Sequence, residues 1–270
     1  MENPIPPVPV LAGTRRSSAG PRPLDGRRLG PPGPRSVAGP LSGFPSFRSL
    51  LAGLAAAFLL LGCGAREAAT PMAPADARDE AREGAEVSAL DGAYTLFFDW
   101  SASEPGLRVR GQGVARVEPP FRARLDLFTS RGERIAVAAL VEDDLRVPAG
   151  TPDILPPGAL LWGALGVFRP GSEAGLDTGA RRGNEATELR YRLPGEQELL
   201  YLIRDLRVHG MEVRSGGRTL EELRLVREGD DPFPREAVYR DLVRVRELTI
   251  TLERVENASS FSSDIWSPGR

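Results

Sequence analysis

The chain has 270 residues, 41% hydrophobic and 27% charged, a globular composition that excludes wholesale disorder. All 35 basic residues are arginine, with one His and one Cys; this excludes lysine chemistry, an internal disulfide and most metal or nucleophile sites. The net charge of −2 hides a split, because the part after Cys63 sets 28 arginines against 35 acids, a poor match to nucleic-acid phosphates.

Residues 1–49 hold seven arginines against Glu2 and Asp25, and 18 of these 49 residues are Pro or Gly. That share lies in the range of non-folding sequence, so 1–49 is expected to be disordered or a mis-annotated extension, with translation starting near Val37. Residues 50–62, from Leu50 to Gly62, form an uncharged apolar run behind Arg48. The run matches a signal-peptide h-region of 7–15 residues and falls short of the ~20 needed to span a bilayer. A buried core helix is the competing reading, and its Gly- and Ala-rich composition argues against it.

The lone cysteine ends that run. Leu60-Leu61-Gly62-Cys63 resembles the lipobox of bacterial lipoproteins, which implies lipidation of Cys63 and cleavage just before it; a buried structural cysteine is the alternative. Multiple acyl chains such as palmitate give stable anchoring where one does not. The resemblance also implies a place on the outer membrane facing the periplasm, since Gly64 rather than Asp follows the cysteine.

Residues 63–92 read as a tether followed by a polar helix over Asp76–Leu90. From 93 to 270 the pattern is chiefly of strands. Tyr94, Leu96, Phe98 and Trp100 alternate on one parity, as do Leu107, Val109, Gly111, Gly113, Ala115 and Val117, until Pro119-Pro120 stops the run. Leu125 and Leu127 alternate with charged neighbours, and the turn Thr129–Arg134 leads to Ile135 and Val137. Ile154-Leu155-Pro156-Pro157 opens a short helix, Gly158–Val167, that carries Trp162. Ser172–Glu185 reads as a Gly-rich polar loop. Strands resume at 189–193, 198–203, 206–214, 219–226 and 248–252, with a bulge expected near Arg246-Glu247 because Val243 and Val245 oppose Leu248 in parity.

The sum is a mainly β (α+β) domain of nine or ten strands. It is a curled antiparallel sheet forming an incomplete β-barrel, with short helices in its mouth. No nucleophile elbow, dinucleotide fingerprint or metal-ligand spacing appears, and His209 reads as structural. The sequence therefore implies no enzyme, no cofactor and no metal, with a hydrolase a distant third reading.

The lipobox, the tether helix, Phe121-Arg122-Ala123-Arg124-Leu125-Asp126-Leu127-Phe128 with Gly132 in the next turn, Pro156–Gly166, and Phe261 with Ile265-Trp266 and Pro268 together resemble the LolA/LolB superfamily. The likeness runs over about Asp91–Pro268 and is closer to LolB-related lipoproteins. It implies an apolar cavity for acyl chains. In LolB a hydrophobic residue projects from the hairpin after the third strand; the equivalent turn here, Thr129–Arg134, is short and charged.

Two functions stay open at this point. One is a membrane-anchored envelope lipoprotein that binds acyl chains or a lipidated client, serving lipoprotein or lipid trafficking to the outer membrane. Its candidate cavity lining is Tyr94, Leu96, Phe98, Trp100, Leu125, Leu127, Ile135, Val137 and Trp162. The other is a non-enzymatic envelope assembly scaffold with a filled core and a protein partner.

Overall fold

The computed structural model describes residues 69–183 and 185–268. The 1–49 extension, the apolar run 50–62, Cys63 and the start of the tether lie outside the described residues. The helix α1 spans Pro74–Val87 and a second helix, α2, spans Gly158–Ala164. None of the described helices is long and apolar enough to cross a membrane.

Thirteen strands form one antiparallel sheet. Strand β1 (Ala69–Pro71) lies at one edge; β2 (Ala93–Glu104), β3 (Leu107–Glu118), β4 (Arg122–Thr129), β5 (Arg134–Val141) and β6 (Asp144–Arg146) form a meander ending at the other edge. A second meander contains β7 (Gly175–Arg182), β8 (Ala186–Leu193), β9 (Gln197–Arg204), β10 (Arg207–Ser215), β11 (Arg218–Val226), β12 (Glu236–Asp241) and β13 (Arg246–Ala258). The meanders join where β13 pairs with β2, Leu248 opposite Ala102. The edge strands β1 and β6 do not pair with each other, so the barrel is incomplete.

The alternation of β2 survives as burial: Leu96, Phe98 and Trp100 point into the core while Phe97 faces out beneath the Arg254 guanidinium, 3.7 Å from its ring centre. The antiparallel ladder puts the β2–β3, β4–β5, β8–β9, β10–β11 and β12–β13 turns at one end of the sheet, here called the hairpin end. The described chain begins at the other end, where Ala69 pairs with Arg182.

Four expectations need correction. The polar loop at 172–185 contains β7, which pairs with β8 over its length; its glycines suit close approach, since a Cβ on Gly179 would lie 2.7 Å from that of Ala77 in α1. Helix α1 begins two residues earlier than expected, with Pro74 in its first turn, a position that tolerates the missing N–H. The last strand is longer and its bulge falls at Leu252/Arg254. Arg246 and Glu247 pair regularly, because Val243 and Val245 belong to the turn and not to the strand. The strand count is thirteen because β1 and β7 carry few apolar residues and β12, at six residues, is short.

After β13 the chain crosses the convex face of β4 and β5 and ends in a 3₁₀ turn, Ser263–Trp266. Arg124 donates to the Ile265 carbonyl at 2.8 Å, and Arg146 to that of Trp266 at 3.0 Å. Beside this strap the buried Asp126 carboxylate meets Arg124 at 2.8 Å and Arg116 at 3.1 Å, the pairing a buried charge requires.

Candidate functional site

The concave face is built from close approaches. Gly113 lies opposite Phe98, and a Cβ there would overlap the phenyl ring. At Gly111 a Cβ would collide with the Phe128 carbonyl, so glycine lets β3 and β4 close at this point. The Trp100 indole N–H sits over the same place and donates to the carbonyls of Gln112 (3.0 Å) and Phe128 (3.2 Å). A buried indole needs such a partner.

Helix α2 fills the middle of the concavity. A Cβ on Gly163 would overlap the Met211 sulfur, so the helix backbone rests directly on β10. Trp162 is fully buried, its indole N–H donating to the Glu142 carbonyl at 2.8 Å. Phe121 meets it edge-on at 6.0 Å, and the Arg169 guanidinium caps Phe121 at 4.0 Å. Arg169 also pairs with Glu142 (2.7 Å) and Asp143 (2.9 Å). Burial pushes the Asp143 carboxyl upward, but hydrogen bonds from Ser172 and the charge of Arg169 outweigh it, and its pKa falls below the ordinary carboxylate value.

Three spaces border the packed centre. Beside the start of α2 an open groove of about 320 Å³ lies between Pro157, Ala159 and Leu160 on one side and Leu199, Val213 and Leu220 of the sheet on the other. At the hairpin end a cavity of about 190 Å³ lies between the sheet and the segment Pro152–Leu155, with Trp100, Ala102, Val109, Ile135, Ile154, Leu155 and Leu248 among its walls. On the other side of α2 only about 30 Å³ is free, between Leu96, Phe98, Leu125, Leu161 and Phe233. The cavity behind Pro152–Leu155 is below the roughly 300–1,000 Å³ of drug-sized ligand pockets. It is comparable with an apolar cavity of about 150 Å³ that stays dry and takes up benzene.

Polar groups clamp its rim. Arg244 pairs with Asp153 (2.9 Å), and Arg246 with Glu104 (3.1 Å) and the Asp153 carbonyl (2.7 Å), which pins the 152–155 wall against β2 and β13. Asp241 accepts from the backbone amides of Val243 (3.0 Å) and Arg244 (2.8 Å). Beside it, burial and the facing Asp241 charge raise the Glu221 pKa, and burial raises that of Tyr239. Burial and the charges of Arg227 and Arg204 hold the His209 pKa down. Among the described residues no group of three or more His, Cys, Asp or Glu is placed to hold a metal ion.

The nine candidate lining residues do not converge on one space. Trp100 and Ile135 line the cavity behind Pro152–Leu155; Leu96, Phe98 and Leu125 line the small one. Leu127 and Trp162 are sealed in the packed core. Tyr94 stands at the opposite end from the cavity, its hydroxyl bonded to Asp91 and its ring edge-on to Phe233 at 5.3 Å. Val137 lies opposite Asp126, on the convex face. A bulge at the start of β5, where Leu127 pairs with Ala136 but Phe128 with Arg134, makes Ile135 the extra residue. It turns Ile135 inward and reverses every later side chain, so Ala136, Ala138 and Leu140 are the buried ones. Strand parity had pointed to Val109 and Leu248 without placing them at a cavity; Ile154 and Leu155 form its outer wall and carried only a helix-start signal.

No protein-family model and no curated protein matches the chain. Among solved structures, a LolA superfamily protein from Nitrosomonas europaea superposes with a TM-score of 0.50 at 11% identity, over 71% of this chain and 97% of that one. A DUF1329 family protein from Desulfovibrio piger gives 0.45 at 10% identity over 72% and 97%. An outer-membrane lipoprotein-sorting domain from Vibrio parahaemolyticus gives 0.42 at 10% over 70% and 97%. The fold is LolA-like: an open, curled antiparallel sheet wrapped round short helices.

Proposed function

We propose that this is an envelope lipoprotein, anchored through Cys63 to the outer membrane on its periplasmic side, that binds the end of one acyl chain, free or carried by a lipidated client. The observation that carries the reading is the 190 Å³ apolar cavity at the hairpin end. At about 30 Å³ per water-sized group, roughly six methylenes fit. At ~0.8 kcal/mol each they give about 5 kcal/mol, a dissociation constant of some tenths of a millimolar. Such a site holds and releases; it does not store. It requires no catalytic group and no cofactor.

The test is displacement of a fluorescent fatty acid from residues 64–270, without the apolar run and Cys63, in detergent-free buffer, together with mass spectrometry of co-purified lipid. Saturable binding that Ala102→Leu abolishes supports the reading. In cells, Cys63→Ser should leave an uncut, unlabelled precursor, and normal lipid labelling of that variant would remove the anchor from the proposal. A second reading, an assembly scaffold, is favoured by the sealed burial of Leu125, Leu127, Leu161 and Trp162 across the centre of the concavity. It predicts that the wild-type protein never binds the probe.

A further inference from the structure

The β12–β13 turn is apolar where turns are ordinarily polar. Leu242, Val243 and Val245 are 46%, 69% and 66% exposed, and Leu107, one strand away at the foot of the β2–β3 turn, is 54% exposed. The turn is not slack: the Asp241 carboxylate accepts two of its amides, and Arg244 and Arg246 are both ion-paired to Asp153. Val245 holds a left-handed backbone, φ +57°, a conformation that Gly or Asn adopts at far less cost than a β-branched residue. The sequence thus keeps apolar bulk on this tip against local strain.

We propose that this tip, with Leu107, is a surface that seats in the interface of an anionic phospholipid bilayer. Four side chains on two convex turns fall well short of the roughly 800 Å² per partner of a stable protein interface, whereas a bilayer interface accepts such a wedge without a matching pocket. Charge agrees with this occupant. Arg108 and Arg110 on β3 and Arg131 on the β4–β5 turn are exposed and make no ion pair among the described residues, with Glu133 the one acid beside Arg131. Each arginine near an anionic surface strengthens binding about fivefold. Leu107 and, within the turn itself, Arg244 also line the cavity, so the seated tip sets its mouth at the level of the lipid. The inference does not require the cavity to hold a ligand.

The experiment uses residues 64–270, which hold every described element and lack both the apolar run and Cys63, labelled with an environment-sensitive dye at Val243→Cys or, as control, at Glu228→Cys in the β11–β12 loop of the opposite end. It is mixed with vesicles of phosphatidylethanolamine and phosphatidylglycerol carrying a headgroup-level nitroxide lipid. The dye at 243 is expected to shift to the blue and be quenched, while the dye at 228 is not. Val245→Glu should weaken vesicle binding at least tenfold, and Arg108→Ser with Arg110→Ser about fivefold each at low salt. A dye at 243 that stays in water on vesicle-bound protein, or no vesicle binding at all, overturns the proposal. A blue shift that grows with protein concentration without vesicles also overturns it, and assigns the tip to a second copy of the chain.

Discussion

The indole N–H of Trp162 donates to the backbone carbonyl of Glu142 at 2.8 Å, and this one bond ties the helix inside the sheet to the β5–β6 turn at its edge. Glu142 itself takes a positive φ of 58°, so its carbonyl direction depends on a turn conformation that few non-glycine residues adopt. Trp162→Phe keeps the aromatic packing and removes the donor and part of the volume. The expected loss is about 2–4 kcal/mol of unfolding free energy, read from urea transitions, with the m-value unchanged.

Gly113 and Phe98 test the close approach on the concave face. Gly113→Ala should cost about 1–3 kcal/mol, because the new methyl and the ring claim the same volume. Phe98→Leu in the same chain should restore part of the loss. A double-mutant cycle with coupling near zero would show that the overlap is relieved elsewhere.

Filled and empty parts of the concavity should respond oppositely to added bulk. Leu127 is sealed, so Leu127→Trp should overpack and lower stability by about 1–3 kcal/mol. Ala102 borders the cavity, so Ala102→Leu should leave the thermal midpoint unchanged or raised and should block probe binding. Equal destabilisation by both variants would mean that the cavity has no working space.

Glu221 gives the pH dependence a definite sign. Burial and the Asp241 charge raise its folded pKa above the ordinary carboxylate value, so the folded protein favours the protonated form. Its contribution to stability is fully present below the unfolded pKa and is lost as pH rises through the folded one. Glu221→Gln should match the wild type in acid and exceed it at about neutral pH. Thermal melts across that range check the crossing.

How much of this was legible in sequence depends on the kind of residue. Leu96, Phe98 and Trp100 were readable because a strand with one buried face writes a period of two, and Trp162 was readable beside its Pro-Pro helix start. Val137 was not. The bulge that turns it outward arises from the β4–β5 turn, and a single inserted residue leaves no mark in composition. The division of the concavity into a sealed centre and an open end was equally hidden: it depends on α2 lying flat on Met211 of β10 through Gly163, a contact between segments about 50 residues apart in sequence. The clamp of Arg244 and Arg246 on Asp153 joins partners further apart still.

The seam between β13 and β2 has a consequence for how the chain acquires its structure. Within each meander the paired strands are sequence neighbours, so hairpins zip locally and at low cost in loop entropy. Apart from the three-residue β1–β7 pairing, the seam is where distant stretches join, with Leu248 meeting Ala102. As the chain emerges from its N-terminus, the first meander appears with the free edge of β2 waiting for a strand that arrives almost last. Until β13 arrives that edge stays unpaired, and deletion of β13 should turn a folding protein into an aggregating one.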